Sequence, residues 1–315
     1  MDNFGIMLKS YGPDLQYAQR FLQSFLAYAT EPIPLFVVVP DQDVPAFTEV
    51  FASHATVLSE SLWADQLVDY PIHGNNPGYI NQEIIKLAFA EGGYLRNYLC
   101  ADSEAVFIRL FSSRDFMDPS GVPYSFITED HELHADPVYF DAYWTAREQF
   151  LVQIREFLEL PATPIATCHN MAVFSSEQVL NLKKYLSDRG LNWAGALEIS
   201  PYEFGWYNFW VEKDQGAARK IREPIMLMLH QPHQHLEYSL KGITENDLAR
   251  GYVAVLINSG FAQDHGVIDF QEPISNTLSR YISYRILFGA AFERMFVRAP
   301  RVRSLLGKGR RTSSS

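Results

Sequence analysis

Cysteine is scarce in this chain of 315 residues, which holds only Cys100 and Cys168. Two thiols build neither a disulfide framework nor a thiolate metal cage. Cys100 lies inside an apolar run, where a buried structural thiol is expected, so the pattern suits a reducing cytoplasm. No stretch of about 18 uninterrupted apolar residues occurs, which argues against a spanning helix. The start, Met1-Asp2-Asn3-Phe4-Gly5, is acidic and too poor in apolar residues to form the core of a signal peptide. Basic residues are outnumbered, 26 Lys and Arg against 37 Asp and Glu, and the net charge of −11 argues against a general nucleic-acid binder. Internal repeats, low-complexity segments beyond the final serines, and a linker between independent domains are also missing.

What remains is a chain with 47% hydrophobic and 14% aromatic residues, enough to bury a large core. Phe4 to Leu8 reads as a strand, and Leu15 to Tyr28 as a helix with Asp14 as its N-cap. Leu35 to Val39 is a β-branched run of the kind buried on both faces, and Val44 to Ala52 is helical in pattern. This alternation predicts a mixed, mostly parallel sheet flanked by helices. Further helices are expected over Tyr79 to Phe89, Tyr143 to Leu158 and Ser176 to Ser187. The last of these has Ser175 or Ser176 as cap and Gln178 near the capping-box position. Ile225 to Leu229 and Tyr252 to Ile257 read as strands, and Asn276 to Phe296 as a terminal amphipathic helix. The expected division is a catalytic domain over 1–270 and a C-terminal helix with a basic tail over 271–315.

Functional residues of open parallel sheets gather outside the carboxyl ends of the strands. Four features fall there: Lys9 to Asp14, Asp102 to Glu104, His230 and Asn258-Ser259. Asp102-Ser103-Glu104 interrupts two apolar segments. On an extended backbone its two carboxylates share a face, where they repel unless a cation or a proton lies between them. A hard divalent metal that also grips a diphosphate would satisfy them. Upstream, Gln82 and Lys86 are four apart and share a helical face, suited to a ribose, a sugar hydroxyl or a diphosphate.

Gly78-Tyr79-x-x-Gln82-x-x-x-Lys86-Leu87, followed by an apolar strand ending Asp102-Ser103-Glu104-x-x-Phe107, resembles an uncharacterised bacterial family of GT-A-like glycosyltransferases. The resemblance extends from the first strand to about Phe270 and includes Ser200-Pro201-Tyr202-Glu203-Phe204-Gly205-Trp206-Tyr207. Glu104 departs from that family, where a second Asp is expected; the extra methylene alters any direct metal ligation. The resemblance implies a GT-A-like fold and a nucleoside-diphosphate sugar donor whose base rests near the first strand. Lys9, Tyr11, Asp14, Gln82, Lys86, Asp102 and Ser103 would hold this donor. It implies Mn2+ or Mg2+ on the diphosphate, with Asp102 as principal ligand, Glu104 second and His230 completing the sphere. Glu203 is then the candidate general base, in an aromatic setting that suits a sugar acceptor and where burial is expected to raise its pKa.

Two rival readings remain open. His230, His233 and His235, or His131 with His134, suggest a zinc hydrolase, although Pro232 opposes the helix such motifs use. The Glu104 departure equally allows a non-catalytic, degenerate transferase that binds carbohydrate. The tail from Glu293 to Ser315 carries seven basic residues and one acid, a local +6 that leaves −17 on the rest. A basic amphipathic end of this kind can rest on anionic lipid at the inner membrane face. A glycan or a lipid-linked precursor is the expected acceptor.

Overall fold

The computed structural model describes residues 3–126, 137–162, 171–229, 238 and 241–257. The expected C-terminal helix and tail, His230 with both histidine clusters, and Asn258-Ser259 lie outside the described residues, as does the 258–270 end of the expected catalytic domain.

In chain order the elements begin with β1 (Gly5–Lys9), α1 (Leu15–Tyr28), β2 (Leu35–Val39), α2 (Val44–Phe51) and β3 (Thr56–Ser59). Next come α3 (Pro77–Ala88), β4 (Asn97–Asp102), β5 (Ala105–Phe107), β6 (Ser125–Phe126) and α4 (Pro137–Phe157). β7 (Val173–Ser175), α5 (Ser176–Ser187), α6 (Trp193–Ile199) and α7 (Glu203–Gln215) follow. Last are β8 (Ile221–Arg222), β9 (Met226–Leu229), α8 (Glu245–Leu248) and β10 (Ala254–Ile257). The main sheet has the order β3-β2-β1-β4-β7, with its first four strands parallel and β7 antiparallel to β4. A second sheet runs β5-β10-β9, and β6 pairs with β8. The mixed, mostly parallel sheet between helices that the alternating pattern predicts is therefore what the chain builds.

Successive side chains on a strand point to opposite faces, so the main sheet feeds two cores. Met7, Val38, Tyr98 and Cys100 pack with α3, α5, α6 and α7. Ile6, Leu8, Val37, Val39, Leu99 and Ala101 pack on the other face with α1, α2 and the second sheet. The same alternation carries Lys9, two after Met7, and Asp102, two after Cys100, toward the face that α3 covers. This parity places the site.

Several local expectations change. Asp14 occupies the N-cap position of α1, but its carboxylate makes no cap hydrogen bond. Ser175 caps α5 in position only. Ser176 Oγ donates to the Leu95 carbonyl at 2.7 Å and Gln178 Nε2 to Asp214 at 2.9 Å, so no capping box forms. Asp102 and Glu104 do not continue one strand, because residues 103 and 104 form the turn by which the chain leaves the main sheet for β5. Strand alternation therefore does not set the relative direction of the two carboxylates there.

Candidate functional site

The chain leaves β1 toward β2 and β3 on one side and returns as β4 on the other. β1 and β4 thus flank a topological switch point, the crevice where open α/β sheets bind ligands. Lys9 and Asp102 are register partners at the carboxyl ends of these two strands.

Lys86 is the centre of what gathers there. It is 3% exposed, and its Nζ donates to Glu203 Oε1 at 2.9 Å. The same ammonium lies 3.2 Å from Glu83 Oε2 and 3.5 Å from Asp102 Oδ1. It also stands 4.9 Å from the Phe204 ring centroid. One cation therefore ties together α3, the end of β4 and the first turn of α7. Burial works against its charge, but Asp102, Glu203 and Glu83 outweigh that penalty and hold the ammonium well above the ordinary lysine range.

The three carboxyl groups are not equivalent. Burial, reinforced by Glu203, pushes Glu83 well above the usual carboxylate range despite the pull of Lys86. Burial acts the same way on Glu203. There the attraction of Lys86, together with hydrogen bonds from Glu83 and Lys86, wins and holds the group below that range. The expected upward shift of Glu203 is thus overturned by its partners. Asp102 is the most open of the three, with its side chain 15% exposed.

The other sequence-predicted residues surround this cluster. Lys9 is buried and pairs with Glu60 at 2.6 Å. Burial lowers its pKa, with Glu60 opposing and Lys86 adding to the fall. Asp14 is half-buried. Burial and the charge of Asp102 push it up to about 6, against the pull of Lys9. Tyr11 is 42% exposed, and Asp14 and Glu104 both add to the upward push that burial gives its hydroxyl. Ser103 is buried and donates to Ser10 Oγ at 2.7 Å, fastening the turn after β4 to the end of β1. Gln82 is half-buried on α3, whereas Lys86 on the same helix is interior, so the two do not present one solvent-facing pair. Gly12 N donates to Asp43 Oδ2 at 2.7 Å, and a Cβ at Gly12 would stand 2.8 Å from Asp43 Oδ1, so a side chain there would have to push the Asp43 carboxylate aside.

The aromatic residues after Glu203 do not line an acceptor wall. Phe204, Trp206, Tyr207, Phe209 and Trp210 are all core residues, with Trp206 and Phe209 fully buried. Glu83 is the site residue that the motif reading passes over. A signal for it exists: it stands on the stripe of Ile80, Ile84 and Leu87, where an unpaired carboxylate would be costly.

Among the described residues, no three His, Cys, Asp or Glu side chains form a group able to hold a metal ion. A closed cage is therefore absent among them. Asp102 and Glu104 still offer hard oxygen donors, the set that serves when an ion keeps its waters and takes its other ligands from substrate phosphates.

No curated protein matches the chain. Among solved structures, mouse xyloside xylosyltransferase 1 in its apo form is similar at 11% identity and a TM-score of 0.45, covering 86% of this chain and 99% of that one. The family of unknown function DUF6492 matches residues 7–238, and the chain belongs to it.

Proposed function

We propose that the protein transfers a glycosyl group from a nucleoside-diphosphate sugar to a hydroxyl of a glycan or lipid-linked acceptor. The observation that carries this reading is the pairing of Lys9 and Asp102 at the switch point, backed by the buried Lys86. A mixed sheet with an acidic crevice at its switch point suits a polyanionic ligand that arrives with a bridging cation.

In this reading Tyr11, Asp14 and Gln82 border the donor, and Asp102 presents its open carboxylate to it. Mn2+ or Mg2+ on Asp102 and Glu104 would supply positive charge for the departing diphosphate. The surroundings explain why such help is useful. Asp14, Asp102, Glu104, Glu203 and Glu60 outnumber Lys9 and Lys86, so an anionic donor meets net repulsion. Glu203, held ionised, is only 4% exposed and already accepts from Lys86, so in this reading it is an orienting group behind Asp102 rather than the base that meets the acceptor hydroxyl. Lys86 keeps Glu203 and Asp102 in register rather than touching the diphosphate itself.

A thermal-shift series with UDP, GDP, ADP and CDP, each with and without Mn2+, tests the reading. A nucleotide at about 100 times its Kd adds roughly 2.7 kcal/mol, a rise of about 4 °C for a chain of this size. Asp102→Ala is expected to abolish that rise, and mass spectrometry of the matching nucleotide sugar to show loss of the sugar. No response to any nucleotide overturns the proposal. Binding without turnover favours the degenerate carbohydrate-binding reading, for which Glu104 in place of the expected Asp is the specific support.

A further inference from the structure

Glu83 lies on the buried stripe of α3, three residues before Lys86, and is 2% exposed. Its carboxyl group and that of Glu203, both buried, converge on one ammonium, at 3.2 and 2.9 Å from Lys86 Nζ. Its Oε2 stands 3.2 Å from Lys86 Nζ yet makes no hydrogen bond. The groups whose charges face it are Lys86 and Tyr79 on its own helix, Lys9 on β1, Cys100 and Asp102 on β4, and Glu203 on α7. Two buried carboxyl groups against one ammonium that also serves Asp102 at 3.5 Å are not both ionised without a buried, uncompensated charge, so one of them carries a proton.

Geometry decides which carboxyl owns it. Glu203 takes the shortest bond from Lys86, at 2.9 Å, and stands in the first turn of α7, where the helix dipole favours negative charge. Glu83 is in the interior of its helix and has one oxygen without a donor. We propose that Glu83 is a neutral, proton-carrying positioning residue that donates to Glu203, fixing Glu203 as the ionised partner of Lys86 and leaving the ammonium shared with Asp102. The protonation state is argued from the shared ammonium and the burial of both carboxyls; the consequence for chemistry rests on the transferase reading.

Infrared difference spectroscopy of wild type against Glu83→Gln at pH 7 is expected to show the carbonyl band of a protonated carboxyl group only in wild type. Glutamine reproduces a neutral donor, so the Tm of Glu83→Gln at pH 7 is expected to equal or exceed that of wild type. Glu203→Gln strips Lys86 of its ionised partner and is expected to lower Tm by roughly 5 °C or more. The native state keeps a proton that the unfolded chain releases near pH 4.5, so stability from this group is full below pH 4.5 and falls as pH rises. The advantage of Glu83→Gln should therefore shrink as pH is lowered toward 4.5. Absence of the band, or a larger Tm loss in Glu83→Gln than in Glu203→Gln, overturns the assignment; neither readout involves substrate, so both survive a failure of the transferase reading. Given turnover, Glu83→Leu is expected to move the acid limb of the pH–rate profile upward and Glu83→Gln to restore it. An acid limb that Glu83→Leu leaves in place overturns the positioning role.

Discussion

Arg155, on α4, and Lys86, on α3, are each at most 3% exposed, yet their surroundings differ in kind. Arg155 donates through Nη1 and Nη2 to the two oxygens of Glu212, at 2.8 and 3.0 Å, and through Nε to the Pro161 carbonyl at 2.6 Å. Its guanidinium lies 4.8 Å from the Phe209 ring centroid, and Arg219 adds a second cation to Glu212 at 3.2 Å. That cluster is closed around Arg155: each of its three guanidinium nitrogens donates to an acceptor supplied by the fold. Lys86 instead faces three carboxyl groups with one charge, and the surplus lies at the sheet edge where Asp102 reaches solvent. A purely structural ion pair gains nothing from surplus acid. The excess makes sense as an anchor for groups that meet a ligand, with its protonation set by the shared carboxyl pair.

The sharpest way to break this comparison is to remove both cations. Lys86→Met strands buried carboxylate charge and is expected to cost about 3 to 5 kcal/mol in urea unfolding, whereas Arg155→Met leaves half-buried Glu212 with Arg219 and is expected to cost about 1.5 to 3 kcal/mol. They should part company with pH. Loss of Lys86 removes what holds Glu203 ionised, so the stability of Lys86→Met should improve as acid neutralises the stranded carboxylates. Glu212 is held below its usual range by Arg155 and Arg219 against the opposing effect of burial. The stability it contributes is present above pH 4.5 and lost as pH falls. In Arg155→Met, Arg219 still serves Glu212, so no acid recovery is expected. Identical pH profiles for the two variants would erase the distinction between a closed cluster and a surplus one.

The sequence pattern exposes one half of this arrangement better than the other. The strands and helices around β1, α1 and β2 are legible because their apolar residues are continuous or periodic, and Lys9 and Asp102 follow as strand ends. β3 is not, since Thr56 to Ser59 is short and nowhere fully buried. α7 is hidden for the opposite reason: its first nine residues are all buried, leaving no polar face to set a period. That concealment is also why the aromatic run after Glu203 invites an acceptor-wall reading when it is core. Glu104 misleads because the alternation rule holds only while the backbone stays extended, and a turn at 103–104 ends it. The Lys86 network needs α3, β4 and α7 brought together, with 117 residues separating Lys86 from Glu203, and no local pattern encodes that meeting.

A gentler probe acts on the closed cluster. Glu212→Gln keeps the shape but removes the charge that Arg155 and Arg219 share, and is expected to cost about 2 kcal/mol, the range of hydrogen bonds to charged groups. Because Glu212 is remote from the switch point in its hydrogen-bonding, any nucleotide-induced thermal shift should persist in this variant. A lost shift would mean that the two clusters communicate through α7, which carries Glu203 at one end and Glu212 near the other.

The smallest effect is expected at Asp14, and its sign is the informative part. Burial and Asp102 raise this carboxyl from 3.8 to about 6, so the native state holds its proton more tightly than the unfolded chain. Its favourable contribution is complete below pH 3.8 and disappears as pH rises to about 6, which makes its charge a liability at neutrality. Asp14→Asn should therefore stabilise the protein at pH 7 by about 1 kcal/mol, after allowance for solvent screening of a half-buried group. The gain should fade as pH is lowered from 6 toward 4, as measured by urea midpoints across that range. Arg155 and Glu212 offer no counterpart, since a closed cluster has no charge whose removal helps. A neutral or destabilising Asp14→Asn would show that the acidic surplus at the switch point carries no strain, and with it would go the electrostatic contrast between the two regions.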